Sequence, residues 1–142
     1  NKLLVSERSS PKVAGAPIKQ VVLALNANRP ILDYLESGRY EKRPSIATLA
    51  NAMDVGDPSN MERLTHLFGD HERFAAEVSA HSVDDRTIRE EIRRIWQDRS
   101  YCVCPHTATG EFVRSSLQLE EPTVVYDSSP SEVQHDRRTG NR

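Results

Sequence analysis

The sequence predicts an α/β fold with a short parallel sheet and flanking helices, an incomplete three-layer αβα arrangement. Short apolar runs alternate with amphipathic helical segments between residues 17 and 126, and this alternation is typical of parallel strands joined by helices. The first apolar run is continuous, as expected for a strand that is covered on both faces. Only three short strands can be assigned, so the sheet is expected to lack strands.

The first predicted strand is Val21–Leu25, with the sequence VVLAL. A helix is predicted to begin at Pro30, because proline fits a first helical turn, where the backbone N–H needs no partner. Gly38 is expected to end this helix in the left-handed conformation. Residues 39–58 show no period and are predicted to form a loop. The apolar face of the helix consists of Ile31, Leu32, Tyr34 and Leu35.

Two helices are predicted after the loop. Ser59 and Glu62 match a capping box, in which each side chain accepts a hydrogen bond from the other residue's amide. A second, short helix is expected at about residues 73–80. The buried stripe of the first helix consists of Met61, Leu64, Leu67 and Phe68.

The strongest helix signal begins at Asp84, whose carboxylate can cap the helix while Val83 and Ile88 form a hydrophobic staple. Isoleucines recur at helical spacing up to Trp96, which predicts that Trp96 is a core residue.

The remaining segments are shorter. A strand is predicted at 101–103, a helix at about 107–117, and a last strand at 123–126. Residues 1–16 are expected to be a loose lead-in. The tail at 127–142 has one apolar residue and is expected to be disordered.

Composition excludes several classes of function. The 142 residues carry a formal net charge of -2, which provides no basic surface for nucleic acid or membrane. No apolar run approaches the roughly 20 residues needed to span a bilayer. Two cysteines do not make a disulfide framework, so a cytoplasmic setting is expected.

Polar residues follow each predicted strand, at 26–28, 104–107 and 127–129. Ligands of open α/β sheets bind beyond the carboxyl ends of the strands, and the loop at 39–58 could lie beside them. The same residues are also ordinary turn and cap residues. Spacing alone leaves both interpretations open.

Four segments resemble the threonine synthases, in the longer form found in many bacteria and in fungi. They occur in the order found in that family, and the resemblance runs from about residue 17 to residue 125. The segments are NAN at 26–28, YLESGRY at 34–40, RPSIATLANAMDVGDPSN at 43–60 and CPHTATG at 104–110.

The resemblance implies a fold type II pyridoxal-phosphate enzyme, related to the tryptophan synthase β-subunit, that converts the small molecule O-phosphohomoserine and water into threonine and phosphate. In such enzymes the cofactor is the electron sink. The implied substrate-cleft residues are Asn51, Asp54, Ser59 and Asn60.

Simpler roles remain open for several of these residues. Ser59 can cap a helix, and Asp54 can accept from loop amides. Lys42 and Arg43 could bind the substrate phosphate or lie on a solvated surface. The resemblance also implies that Ser128, at the place of the family's threonine after its last strand, would face the pyridine nitrogen of the cofactor.

The sequence departs from the family at the residues that hold the cofactor. The family places its Schiff-base lysine in a Ser-Phe-Lys context, and none of Lys2, Lys12, Lys19 or Lys42 matches it. A Gly/Asn-rich phosphate loop is also missing before Val21. No catalytic residue is therefore assigned, and the N-terminal part of the enzyme is expected as a partner. The alternative is a non-catalytic remnant or an interaction module.

Cys102, Cys104 and His106 form a C-x-C-x-H pattern. A zinc site would need a fourth ligand at suitable spacing, so no metal site is predicted.

Overall fold

A computed structural model describes residues 21–118 and Val125. The described part contains two strands, a 3-10 turn at Asn51–Met53 and five α-helices. The strands are β1 (Val21–Leu25) and β2 (Val78–Ser82), and the helices are α1 (Pro30–Ser37), α2 (Met61–Phe68), α3 (His71–Glu77), α4 (Asp85–Arg99) and α5 (Pro105–Ser116).

The two strands pair in parallel, with Val21 opposite Val78 and Leu25 opposite Ser82. The crossover between them contains α1, α2 and α3, because parallel strands cannot be joined by a tight turn. The Val83 amide donates to the Leu25 carbonyl over 2.8 Å. The pairing therefore continues one residue beyond β2.

The sheet separates two hydrophobic clusters, so the three-layer arrangement is confirmed. Successive side chains of a strand point to opposite faces, and Val21, Leu23 and Leu25 of β1 are buried in the first cluster with side chains from α1, α2 and α3. Val22 and Ala24 pack against the second cluster, which contains Ile88 and Ile95 of α4 and Ala108 and Val113 of α5.

Local signals place several helix ends correctly. Gly38 ends α1 with φ 72°, the left-handed conformation that glycine adopts without steric cost. The Asp84 side chain accepts from the Thr87 amide and caps α4. Val83 and Ile88, the two residues of the predicted staple, are both buried in the second cluster.

The prediction of a helix at residues 73–80 is wrong at its end, because β2 begins at Val78. The residues VSAHS carry no strong strand signal of their own. They are extended because Val78 and Ala80 are buried beside β1, where the strand backbone also finds its hydrogen-bond partners.

The capping box at Ser59 and Glu62 is not formed. The cap position of α2 is Asn60, and no side chain makes a cap hydrogen bond there. Trp96 was predicted to be in the core but is 56% exposed. Trp96 follows the buried Ile95 directly. One residue turns an α-helix by about 100°, so the Trp96 side chain points away from the buried stripe of α4 and towards solvent.

The remaining sequence predictions can be compared with the structure only where their residues are described. Residues 101–103 form no strand, although Val103 is buried in the second cluster. Of the strand predicted at 123–126, only Val125 is described, and it is not in a strand. The predictions for 1–16 and 127–142 lie outside the described residues. Among the described helices, none has the length and apolar character needed to cross a membrane.

We expect the capping of α4 to depend on pH. The hydrogen bond from the Thr87 backbone lowers the pKa of Asp84 below its ordinary value of 3.8. Its contribution to stability is therefore present above the unfolded pKa and is lost as pH falls through the folded pKa. Asp84→Asn keeps an oxygen that can cap but cannot ionise. The gap in unfolding free energy between the native chain and this variant should be constant above about pH 5 and narrow below it, as measured by urea titration. If the difference in unfolding free energy between the two chains did not change with pH, the ionised Asp84 carboxylate would not be the cap of α4.

Candidate functional site

Asn26 follows β1 and is fully buried. Its side-chain amide lies 2.8 Å from the Thr48 hydroxyl, 3.2 Å from the Ala50 carbonyl and 2.7 Å from Asp54 Oδ1, and it donates to these oxygens. A buried amide without partners costs about 1–3 kcal/mol. The chain after β1 is therefore tied to residues of the loop at 39–58.

Asn28 holds the same loop from a second point and is also buried. Its Nδ2 donates to the Ile46 carbonyl over 2.7 Å, and its Oδ1 accepts from the Ile46 amide over 2.7 Å. The Asn28 side chain thus pairs with the Ile46 backbone as a neighbouring strand would. The Asn28 backbone amide donates to Asn26 Oδ1 over 2.8 Å, which links the two asparagines.

Asp54 is the centre of this network. Its Oδ1 accepts from Asn26, from Asn28 over 3.1 Å and from the Thr48 hydroxyl over 2.7 Å. Its Oδ2 accepts from the Thr48 amide over 2.9 Å. We call Asn26, Asn28, Thr48 and Asp54 the loop anchor. Hydrogen bonds to a carboxylate are about twice as strong as those between neutral groups, so Asp54 holds the loop in shape.

Both ends of the loop are brought together at Gly56. The Arg43 amide donates to the Gly56 carbonyl over 3.1 Å, and the Gly56 amide donates to the Ser45 hydroxyl over 3.1 Å. A Cβ atom added to Gly56 would lie 1.8 Å from the Arg43 carbonyl oxygen. Only glycine allows the two backbone segments to approach this closely.

The 3-10 turn at Asn51–Met53 is held between the starts of α4 and α5. The Leu49 amide, just before the turn, donates to Asp85 Oδ1 over 3.0 Å. The Ala52 amide donates to His106 Nε2 over 3.1 Å. Met53 is buried, whereas Asn51 is exposed. The turn therefore presents the Asn51 side chain to solvent from a fixed backbone.

The four candidate cleft residues have different surroundings. Asn51 and Asp54 lie in the anchored loop, although Asp54 points to loop groups rather than to solvent. Ser59 is exposed, and Asn60 lies at the start of α2 with a buried Oδ1 that has no hydrogen-bond partner within the described part of the chain. No hydrogen bond joins the last two to the loop anchor. Ser128 lies outside the described residues.

The two cations that could bind a phosphate are already paired. Lys42 Nζ lies 2.9 Å from Asp57, and Arg43 lies 3.1 Å from Asp33. The hydrogen bond to Asp57 raises the pKa of Lys42, and the bonds from Lys42 and Tyr40 lower the pKa of Asp57. The pKa of Tyr40 is raised by its burial and by its hydrogen bond to Asp57. These pairs favour the simpler interpretation, in which both cations belong to the charged surface.

The described residues do not fit the attachment of pyridoxal phosphate. A Schiff base forms from a neutral lysine amine. Lys42 is the one lysine among the described residues, its side chain is 74% exposed, and its pairing with Asp57 raises its pKa further, which favours the charged amine.

The C-x-C-x-H pattern serves the local structure. Cys104 Sγ accepts from the Thr107 amide and caps α5, His106 binds Ala52, and Cys102 is exposed. In the described ranges, no group of three or more His, Cys, Asp or Glu side chains could hold a metal ion.

Sequence reasoning pointed to the carboxyl end of β1 but missed what its residues do. Thr48, Asp85 and His106 were not proposed as site residues. Two asparagines directly after a buried strand were the available signal, because polar groups at a buried strand end must find partners. Nothing in the sequence names those partners, since they lie 18 to 28 positions away.

No family model matches the chain. Comparison with individual curated proteins, however, finds several threonine synthases. A threonine synthase of Serratia marcescens is 34% identical over 111 residues, which are 78% of this chain and 26% of the relative. The threonine synthase of Haemophilus influenzae is 33% identical over 114 residues, or 80% of this chain and 27% of the relative. The chain thus spans about a quarter of the length of these curated relatives.

Solved structures give the same result. The crystal structure of threonine synthase from Escherichia coli matches with a TM-score of 0.66 and 30% identity, over 74% of this chain and 24% of that one. The pyridoxal-phosphate-bound threonine synthase from Brucella melitensis matches with a TM-score of 0.68 and 25% identity, over 79% and 30%. The yeast enzyme, at 24% identity and a TM-score of 0.72, supports the fold alone.

Removing the Asp54 carboxylate should destabilise the chain. Asp54→Ala leaves the donors of Asn26, Asn28 and Thr48 without their common acceptor, and we expect a loss of about 3 kcal/mol in the free energy of unfolding. Asp54→Asn should also destabilise, because its NH2 group would face donors. Urea titration followed by circular dichroism measures both losses. Glu90→Ala, an exposed carboxylate on α4, is the control, and an equal effect of Glu90→Ala and Asp54→Ala would contradict the assignment.

Gly56→Ala should destabilise the chain by about 3 kcal/mol, because the new methyl group would displace the backbone at Arg43. Gly69→Ala is the matched control. Gly69 has φ 79° but nothing within 4 Å of the added Cβ, so Gly69→Ala carries the cost of a positive φ without a steric clash. Thermal unfolding of the two variants compares them. The close approach of the two segments would be refuted if Gly56→Ala were the milder change.

Proposed function

The chain is homologous to the threonine synthases over about three quarters of its length, and from this premise we propose that it forms the loop side of a threonine synthase substrate site. The family match includes a pyridoxal-phosphate-bound enzyme. The whole reaction would convert O-phosphohomoserine and water into threonine and phosphate, with the cofactor as electron sink. The observation that carries the proposal is the loop anchor, which fixes the loop containing the threonine synthase-like segment 43–60 at the carboxyl edge of the sheet.

The position of the anchored loop supports this role. Ligands of open α/β folds bind beyond the carboxyl ends of the strands, and Asn26 and Asn28 fasten the loop directly after β1. A substrate site needs walls that hold their position to within a fraction of an ångström. The network around Asp54 supplies that rigidity from within the loop.

The described residues would bind and orient the substrate rather than react with it. Asn51 has an exposed amide that can both donate and accept hydrogen bonds, and it would contact the polar groups of an amino-acid substrate. Asp54 would shape the wall without touching the substrate. Ser59 and Asn60, at the start of α2, remain proposed members of the cleft, as does Ser128 for the cofactor.

The catalytic amine would come from outside the described residues. Lys42 is exposed and paired with Asp57 over 2.9 Å, and no other lysine is described. We therefore assign no chemical step to this chain and propose that the lysine and the phosphate loop belong to an N-terminal part of the enzyme. A cytoplasmic setting stays a prediction from the sequence.

The same observation favours a second candidate. A chain that kept the fold of this region without a usable lysine would act as a non-catalytic remnant or an interaction module. The two proposals differ in whether residues 21–118 can still serve in an active enzyme.

A chimera separates the two candidates. The homologous segment of the Serratia marcescens relative would be replaced by residues 21–118 of this chain, and threonine formation from O-phosphohomoserine would be measured. We expect turnover within about a hundredfold of the relative's own. Asp54→Ala in the chimera should reduce turnover further, because a wall displaced by about 1 Å can cost a hundredfold in rate.

Two controls make this result interpretable. Glu90→Ala in the chimera should leave turnover unchanged. The absorbance of bound cofactor reports whether the host part has folded. A chimera that binds the cofactor but forms no threonine would refute the substrate-site proposal and favour the non-catalytic candidate.

A further inference from the structure

The exposed middle of the anchored loop depends on a residue from the other end of the described chain. Within the 3-10 turn, the Met53 amide donates to Ala50 and the Asp54 amide donates to Asn51. The Ala52 amide belongs to the first turn of this short helix, where N–H groups have no partner inside the helix. Its acceptor is His106 Nε2, 3.1 Å away and 54 positions later.

The other attachments hold the flanks of the turn rather than its middle. Asn26 binds the Ala50 carbonyl, Asp85 binds the Leu49 amide, and Met53 is buried. Asn51 and Ala52 are exposed, and the turn reaches α5 through the bond to His106. This bond therefore holds the backbone of Ala52, the neighbour of Asn51, against the start of α5.

The chemistry of the acceptor limits which side chains could replace it. A neutral imidazole has one N–H and one lone-pair nitrogen, so a ring that accepts at Nε2 carries its proton on Nδ1. His106 follows Pro105, the first residue of α5, and Cys104 caps the helix there. The ring thus projects from a rigid helix start.

We propose that His106 is a positioning residue, which holds the Ala52 backbone and thereby fixes Asn51 at the edge of the candidate substrate site. It acts through the turn and does not touch the substrate. Its importance for substrate binding rests on the proposed function, whereas the hydrogen bond to Ala52 does not. A solvent-exposed hydrogen bond adds little to global stability, so the effect of its loss is expected within the turn.

Amide hydrogen exchange of the purified, nitrogen-15-labelled chain tests the proposal without substrate or cofactor. In His106→Ala, the Ala52 amide should exchange about tenfold faster than in the native chain, because it loses its acceptor. The amide of Leu23 in β1 should keep its exchange rate, which shows that the fold is intact. These exchange rates depend only on the chain itself, so the test remains valid even if the proposed enzyme function is wrong.

Two conservative variants distinguish positioning from simple packing. The side-chain oxygen of glutamine occupies the place of Nε2, whereas that of asparagine reaches only the place of Nδ1. His106→Gln should therefore restore the Ala52 exchange rate to within about twofold of the native value, and His106→Asn should not. His66→Gln, on the exposed side of α2, is the matched control and should change nothing.

Two results would overturn the proposal. The first is an Ala52 exchange rate that His106→Ala does not alter. The second is a rate that glutamine fails to restore while Leu23 stays protected. In either case His106 would contribute only to the packing of α5.

Discussion

The carboxylate of Asp54 is the interaction on which the candidate site depends. It gathers donors from Asn26, Asn28 and Thr48, which belong to the end of β1 and to the loop itself. A loop of this length would otherwise sample many conformations, and ordering each residue costs about 1–2 kcal/mol of backbone entropy. Strong, convergent hydrogen bonds to one charged group offset part of that cost, together with the burial of Ala50 and Met53 in the second cluster.

The fold gives this network its location. Because β1 and β2 are parallel, their carboxyl ends lie at the same edge of the sheet. The loop is fastened there to β1 by the asparagines, to α4 by Asp85 and to α5 by His106. A strand and two helices that lie far apart in the sequence thus converge on one segment of the chain.

The described residues are suited to shaping a binding site but include no lysine placed to react with a cofactor. Lys42 is an exposed cation paired with Asp57, and the neighbouring Arg43 is paired with Asp33. A site that holds an amino-acid phosphate and a carbonyl cofactor needs a neutral amine and cations that are not already neutralised. In the proposed site, the described residues would supply shape and hydrogen-bonding groups, and they span about a quarter of the relatives' length.

Local patterns in the sequence determined β1, α1, α4 and most of α5, because continuous apolar runs, helical spacing, Pro30, Gly38 and Asp84 act over a few residues. The resemblance of residues 43–60 also pointed to the threonine synthases, which the sequence comparison then found as relatives. Tertiary structure alone decided the rest. VSAHS becomes a strand because β1 offers it a partner, Trp96 faces solvent because it lies beside the buried stripe of α4, and His106 meets Ala52 because α5 packs beside the loop. These outcomes depend on contacts between residues far apart in the chain, and local sequence does not encode such distances.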